Sequence, residues 1–177
     1  MGYTHYWKRT KTKLTEVNLI DLRGQLEITL DRYKNIIQYD SDIAQSPELY
    51  IDWKNMIVCI RFNGIDDNAH ETFMINHENN NFRKTARKPY DQAVCECLLI
   101  YHHYKILSID SDGFSNYTEN KYKVGDKMLD DDIDGKWFDA LQYVNKLLQT
   151  QYYFKCDEFD KNNVSYNINI NNNGWYY

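Results

Sequence analysis

No apolar run in this sequence approaches the roughly 20 residues that a membrane-crossing helix needs, so a helical span is excluded. The opening residues Met1 to Tyr6 carry no apolar signal-peptide core, and a cytoplasmic location is expected. The four cysteines, Cys59, Cys95, Cys97 and Cys156, match neither a disulfide framework nor a zinc spacing. Cys95 and Cys97 are also too close for a Cys-x-x-Cys redox pair, so reduced thiols are expected. There is no Walker loop, no Gly-x-Ser-x-Gly elbow and no His-Glu-x-x-His pair. Asp110-Ser111-Asp112-Gly113 resembles the start of a calcium loop but lacks the third acid and the correctly placed glycine. No metal and no cofactor is therefore expected. A basic excess is missing too: 21 Lys and Arg against 26 Asp and Glu leave a net charge of −5. That balance lacks the extended cationic face that duplex nucleic acid requires.

What is present fits a soluble α+β protein. At 177 residues the chain is long enough for one self-sufficient core. Sixteen tyrosines supply apolar bodies with polar tips, suited to half-buried surfaces and pocket walls. Gly2 to Lys8 reads as a strand rich in β-forming aromatics. Over residues 14–38, Leu19, Leu22, Leu26, Leu30, Tyr33 and Ile37 recur at helical spacing, with Gly24 a weak point inside. Residues 39–55 read as a connection. Met56 to Gly64 alternates as a strand, and His70 to Ile75 returns beside it as a hairpin with Phe62, Phe73 and Ile75 inward. Pro89 opens a second helix, and Lys105 to Asp110 gives a short strand. Residues 114–130 form an irregular insertion, and Trp137, Leu141, Val144 and Leu148 mark a third helix. The order β–α–β–β–α–β predicts a ferredoxin-like sheet with helices on one face, followed by an extra C-terminal helix. Residues 1–155 form the domain. Residues 156–177 form an Asn- and Tyr-rich tail in which Val164 to Ile170 alternates like an edge strand.

One segment runs against the acidic balance. Arg83, Lys84, Arg87 and Lys88 place four cations in six residues, just before Pro89 and the second helix. The free N–H groups of a first helical turn attract an anion, so this loop is a candidate phosphate site completed by Thr85 and Tyr90. His70 and Thr72 lie on the uncovered hairpin face with Arg61 and Asn63, where an imidazole suits hydrogen bonding or acid-base work. Tyr3, His5 and Trp7 share one face of the first strand, where aromatics can stack a base or pack a core.

These residues also carry a resemblance. The stretches Gly2–Trp7, Phe62–Gly64, His70–Phe73, Lys84–Asp91 and Asp110–Gly113 resemble the motifs of a family of small uncharacterised phage and bacterial proteins. The block "KTARKPYD" is the most specific of them, and the similarity runs to about residue 113. The resemblance implies a viral accessory protein, acting in the host cytoplasm. The expected function is binding of a small phosphorylated, nucleotide-like ligand, such as a sequestered immune signal. The alternatives are a metal-independent phosphodiesterase with His70 as acid-base and Arg87 stabilising phosphoryl charge, or a protein-interaction module. No membrane partner is expected, and self-association stays open.

Overall fold

The computed structural model describes residues 3–114 and 134–154. Seven strands and three α-helices follow in the order β1 (Thr4–Arg9), α1 (Glu16–Asp31), β2 (Ile37–Gln38), β3 (Glu48–Asp52), β4 (Ile57–Gly64), β5 (Phe73–Ile75), β6 (Asn80–Lys84), α2 (Asp91–His103), β7 (Leu107–Ser111) and α3 (Gly135–Leu148). Single 3₁₀ turns occupy Asp66–Asn68 and Asp112–Phe114. The protein is α+β with a C-terminal helix, as expected, but its strands form two antiparallel sheets rather than one ferredoxin-like sheet. The first has the order β6-β1-β7; in the second, β4 pairs with β2, β3 and β5.

The extra strands explain the split. β3 lies within the segment read as a connection, and β6, with the sequence NNFRK, has no apolar alternation to betray it. An edge strand needs little side-chain burial, because backbone pairing to its neighbour holds it. β6 pairs along β1 from Thr4↔Lys84 to Lys8↔Asn80 and takes the place expected for the strand following His70. The hairpin pairs the expected inward residues, Phe62 with Phe73 and Ile60 with Ile75, but its second strand begins at Phe73 rather than His70, so His70 and Thr72 lie in the connection before it. The insertion beyond Phe114 and the proposed tail strand lie outside the described residues.

Period-2 alternation divides β1 from His5 onward, with Thr4 buried at its start. Tyr3, His5 and Trp7 are buried, whereas Tyr6 and Lys8 face outward. Trp7 meets Phe73 edge-on at 5.3 Å, Phe73 meets Phe62 at 5.1 Å, and Phe62 meets Tyr90 at 6.4 Å. This aromatic chain couples the two sheets to the start of α2.

Helix α1 begins at Thr15, whose hydroxyl accepts the Asn18 N–H at 3.2 Å, and buries Leu19, Leu22, Leu26 and Leu30. It stops at Asp31, short of the periodic pattern, and Arg32 and Tyr33 turn toward α2. Both donate to the Glu96 carboxylate at 2.7 Å. The Arg32 guanidinium also lies 3.6 Å over the Tyr143 ring of α3. Helix α2 is the central element, buried from Ala93 through Tyr101 between α1 and α3.

Gly24 sits inside α1, where an added Cβ would meet nothing within 4 Å. Gly24→Ala should therefore stabilise the fold by about 0.5–1 kcal/mol through helix propensity alone. A urea midpoint that fell on substitution would contradict this.

Candidate functional site

The basic loop leaves β6 at Lys84 and is pinned at once, with Thr85 N donating to Tyr3 O at 3.0 Å. Lys88 N then donates to Thr85 O at 3.0 Å, closing a four-residue turn. Its central residues, Ala86 and Arg87, have φ of 50° and 56°. This is the left-handed region, costing roughly 1–2 kcal/mol for each L-residue. Five contacts hold the strained turn. The Arg87 and Lys88 carbonyls accept from Lys136 Nζ at 3.0 and 2.9 Å. The Arg87 guanidinium lies 4.1 Å over the Tyr3 ring and pairs with Asp134. The Thr85 hydroxyl donates to Asp91.

The anion at the helix start proves to be internal. Asp91, the first residue of α2, is fully buried, and its carboxylate lies where the helix dipole favours negative charge. It accepts from His5 Nε2 at 2.6 Å and from Thr85 Oγ1, and lies 3.4 Å from Lys136 Nζ. Burial alone would raise its carboxyl, but the His5 and Thr85 bonds and the Lys136 charge outweigh this and hold it below the usual range. The phosphate expected at this helix terminus is thus replaced by the protein's own carboxylate.

Hydrogen-bond valence fixes the tautomer of His5. A hydroxyl has one proton and two lone pairs. Ser111 Oγ accepts the Trp137 indole N–H at 2.9 Å and the Gly113 N–H at 3.0 Å, so its proton goes to His5 Nδ1 at 2.8 Å. His5 therefore carries its proton on Nε2 and donates it toward Asp91. Asp91, His5 and Ser111 follow the order of a nucleophilic triad, yet both Ser111 lone pairs are engaged and the residue is buried. The arrangement locks an interior rather than arming a nucleophile.

Two buried polar atoms in this region have no hydrogen-bond partner among the described residues, Tyr3 Oη and Asp91 Oδ2. Burial pushes the Tyr3 hydroxyl above its usual range, with the Cys95 thiol next in effect. His5, Asp91 and Cys95 offer donor atoms within 4.8 Å of one another. The His5 nitrogen facing Asp91 is protonated, burial pushes the Cys95 thiol well up, and Lys136 balances the same carboxylate, so His5 and Asp91 are arranged as a hydrogen-bonded pair with the Cys95 thiol nearby. Gly113 is required here: a Cβ would approach Tyr3 Oη to 2.2 Å and Trp137 Cδ1 to 2.6 Å.

The remaining expected residues separate into two groups. Asn63, Tyr90 and Trp7 are structural. Asn63 donates to His70 O at 2.9 Å and Thr72 Oγ1 at 3.0 Å while accepting from Gly64 N and His70 N. Tyr90 donates to Glu71 O at 2.7 Å, and the core position of Trp7 leaves no ring face open to a ligand. His5 lies on the helix-covered side for the same reason, so the N-terminal aromatics do not form the expected stacking cleft. Lys84 is exposed, its N–H donating to Glu71 Oε2 at 2.7 Å. Exposed His70 joins the Lys84 carbonyl through Nδ1 at 2.7 Å, and Lys88 donates to Asp67 O at 2.7 Å.

The other group surrounds an open cavity of about 430 Å³ lined by Arg61, Arg83, Asp40, Glu71, Thr72, Met74 and Phe82. Asp40 accepts from Arg61 and, at 2.6 Å, from Thr72 Oγ1. The Thr72 bond leads the influences that hold the Asp40 carboxyl below the usual range. Arg61 also lies 4.5 Å over the Tyr39 ring. Arg83 bonds only neutral oxygens among the described residues, those of Thr72, Asn81 and Phe82, so no contacting carboxylate cancels its charge. A second cavity of about 400 Å³ opens beside it on the outer face of the first sheet, and Phe82 lines both. Sequence reasoning missed Arg83's separation from the other loop cations, because β6 was unseen. It also missed Ser111, Lys136 and Trp137, which only the fold brings to His5 and Asp91.

No family model matches the chain, and no curated protein or solved structure matches it.

Asp91 supplies a pH test. With its folded carboxyl below the ordinary value of 3.8, its stabilisation is present above that value and is lost as pH falls through the lower folded one. Asp91→Asn should destabilise the protein by about 1.5–3 kcal/mol at neutral pH. The gap to wild type should shrink in acid below 3.8. Denaturant titrations at several pH values check this; a gap constant with pH would contradict it. Gly113→Ala should cost about 1–3 kcal/mol by overpacking, and Tyr3→Phe in the same chain should recover part of the loss by removing the hydroxyl that the Cβ meets first. No recovery in thermal melts would mean the Trp137 ring, not Tyr3, sets the clash.

Proposed function

We propose that this protein binds a small phosphorylated, nucleotide-like molecule and holds it intact. The observation that carries the reading is the pair of open cavities meeting at Phe82, one with the Arg61 and Arg83 guanidiniums and the other with exposed aromatic and amide side chains. A guanidinium without a carboxylate partner suits a phosphate, since each charge-assisted hydrogen bond contributes roughly 1.5–3 kcal/mol. The Thr72 hydroxyl lies in the same wall. A cavity of a few hundred cubic ångströms suits a mononucleotide-sized ligand rather than a polymer.

Binding is favoured over hydrolysis by the composition of that wall. Among its lining residues there is no histidine, cysteine or serine; Asp40 is committed to Arg61 and Thr72, and Glu71 Oε2 accepts the Lys84 N–H. A phosphodiesterase needs a base and a leaving-group acid at the phosphate. The resemblance to small phage proteins supports an accessory role in which a signalling nucleotide is removed by sequestration.

Arg83→Ala should weaken binding of inorganic pyrophosphate and of nucleoside phosphates at least tenfold in calorimetric titration. Arg87→Ala should leave both within about twofold, because Arg87 serves the turn through Tyr3 and Asp134. The reverse pattern would return the ligand to the loop. Ligand recovered after denaturation should be chemically unchanged; recovered products would indicate catalysis.

A further inference from the structure

We infer that the outer face of the β6-β1-β7 sheet is a base-binding subsite selective for guanine. The inference rests on the nucleotide reading above and extends it to the base.

Strand register builds the subsite. Tyr6, at the centre of β1, faces Phe82 on one side and Asp110 on the other. Two residues along, Lys8 faces Asn80 and Ser108. All six side chains belong to the outward set and line the cavity of about 400 Å³. Tyr6 and Phe82 are 42% and 51% exposed, which is unusual for two adjacent rings on a sheet with no covering layer among the described residues. Their centroids lie 6.2 Å apart with planes tilted by 32°, forming a continuous apolar shelf. Such a shelf stacks a base whatever its identity.

The polar rim supplies the identity. One Asp110 oxygen, Oδ1, accepts the Ser111 N–H at 2.8 Å, which leaves Oδ2 and a lone pair on Oδ1 for a ligand. A carboxylate only accepts hydrogen bonds when ionised, so it selects an edge with adjacent donors. Guanine offers N1–H beside its 2-amino group, whereas adenine puts a ring acceptor at N1 that a carboxylate repels. Lys8 lies on the same face, with no carboxylate partner among the described residues, and donates toward the guanine acceptors O6 and N7. Asn80 adds an amide that can do either. Phe82, shared with the arginine cavity, connects base to phosphate around the β6 edge.

The test uses the whole chain and separates base from phosphate. Guanosine, adenosine and inorganic pyrophosphate are titrated separately by calorimetry against wild type, Asp110→Asn and Tyr6→Ala. Guanosine should bind at least tenfold more tightly than adenosine. Asp110→Asn, which keeps an acceptor for Ser111 N but presents a donor amide, should erase that preference. Tyr6→Ala should weaken both nucleosides and leave pyrophosphate unchanged. Equal affinity for the two nucleosides, or a guanosine preference that survives Asp110→Asn, overturns guanine selection. Pyrophosphate binding without either nucleoside overturns the base subsite and leaves the phosphate reading standing. Guanosine binding without pyrophosphate upholds the subsite and overturns the phosphate reading. Binding of none of the three overturns both.

Discussion

The buried carboxylate of Asp91 is the constraint on which the rest of this structure depends. An ionised carboxyl taken out of water is costly unless it is paired and hydrogen-bonded. Every element around it is arranged to meet that need: β1 brings His5, the basic loop brings Thr85, α3 brings Lys136, and α2 brings its own positive terminus. Each of those groups is then held by another. Ser111 orients His5, Trp137 and Gly113 saturate Ser111, and the Arg87 and Lys88 carbonyls hold Lys136. The strained pair Ala86 and Arg87 is the local cost of pointing those carbonyls at a lysine 48 and 49 residues away.

How far this could be read in advance divides along physical lines. The helices and the β4–β5 hairpin were legible because apolar periodicity records burial on one face, as in Leu19 to Leu30 or Phe62 with Phe73. β6 was not, because a strand held chiefly by backbone pairing leaves little side-chain pattern; in β3 Leu49 and Ile51 do alternate toward the core, but over only five residues beside Ser46-Pro47. Missing β6 also misplaced the charges. Arg83 reads as one of four loop cations, but as the penultimate residue of a strand it turns to Thr72 and the cavity of about 430 Å³, away from Arg87. Charge density in sequence marked a special segment correctly and gave the wrong reason for it. The anion it surrounds stands three residues beyond the last of the cations, as Asp91.

The described structure thus separates two roles that the motif residues share in sequence. His5, Thr85, Asp91 and Ser111 form a buried, hydrogen-bonded interior with Gly113 packed against it. The open surfaces lie on either side of β6, where Arg83 lines one cavity and its sequence neighbour Phe82 lines both. An interior network that fixes β1 and the end of β7 also fixes Tyr6 and Asp110, which alternate with His5 and Ser111 on those strands. Rigidity at the buried face is therefore positioning for the exposed one, in the sense that a binding site built on strands inherits their precision.

The most direct measurement of the central claim is a backbone amide NMR titration of the intact protein with guanosine monophosphate. The account predicts saturable shifts concentrated at Tyr6, Thr72, Phe82, Arg83 and Asp110, with the amides of Thr85 to Asp91 little changed. Shifts centred on Ala86 to Asp91, or none at millimolar ligand, would contradict it.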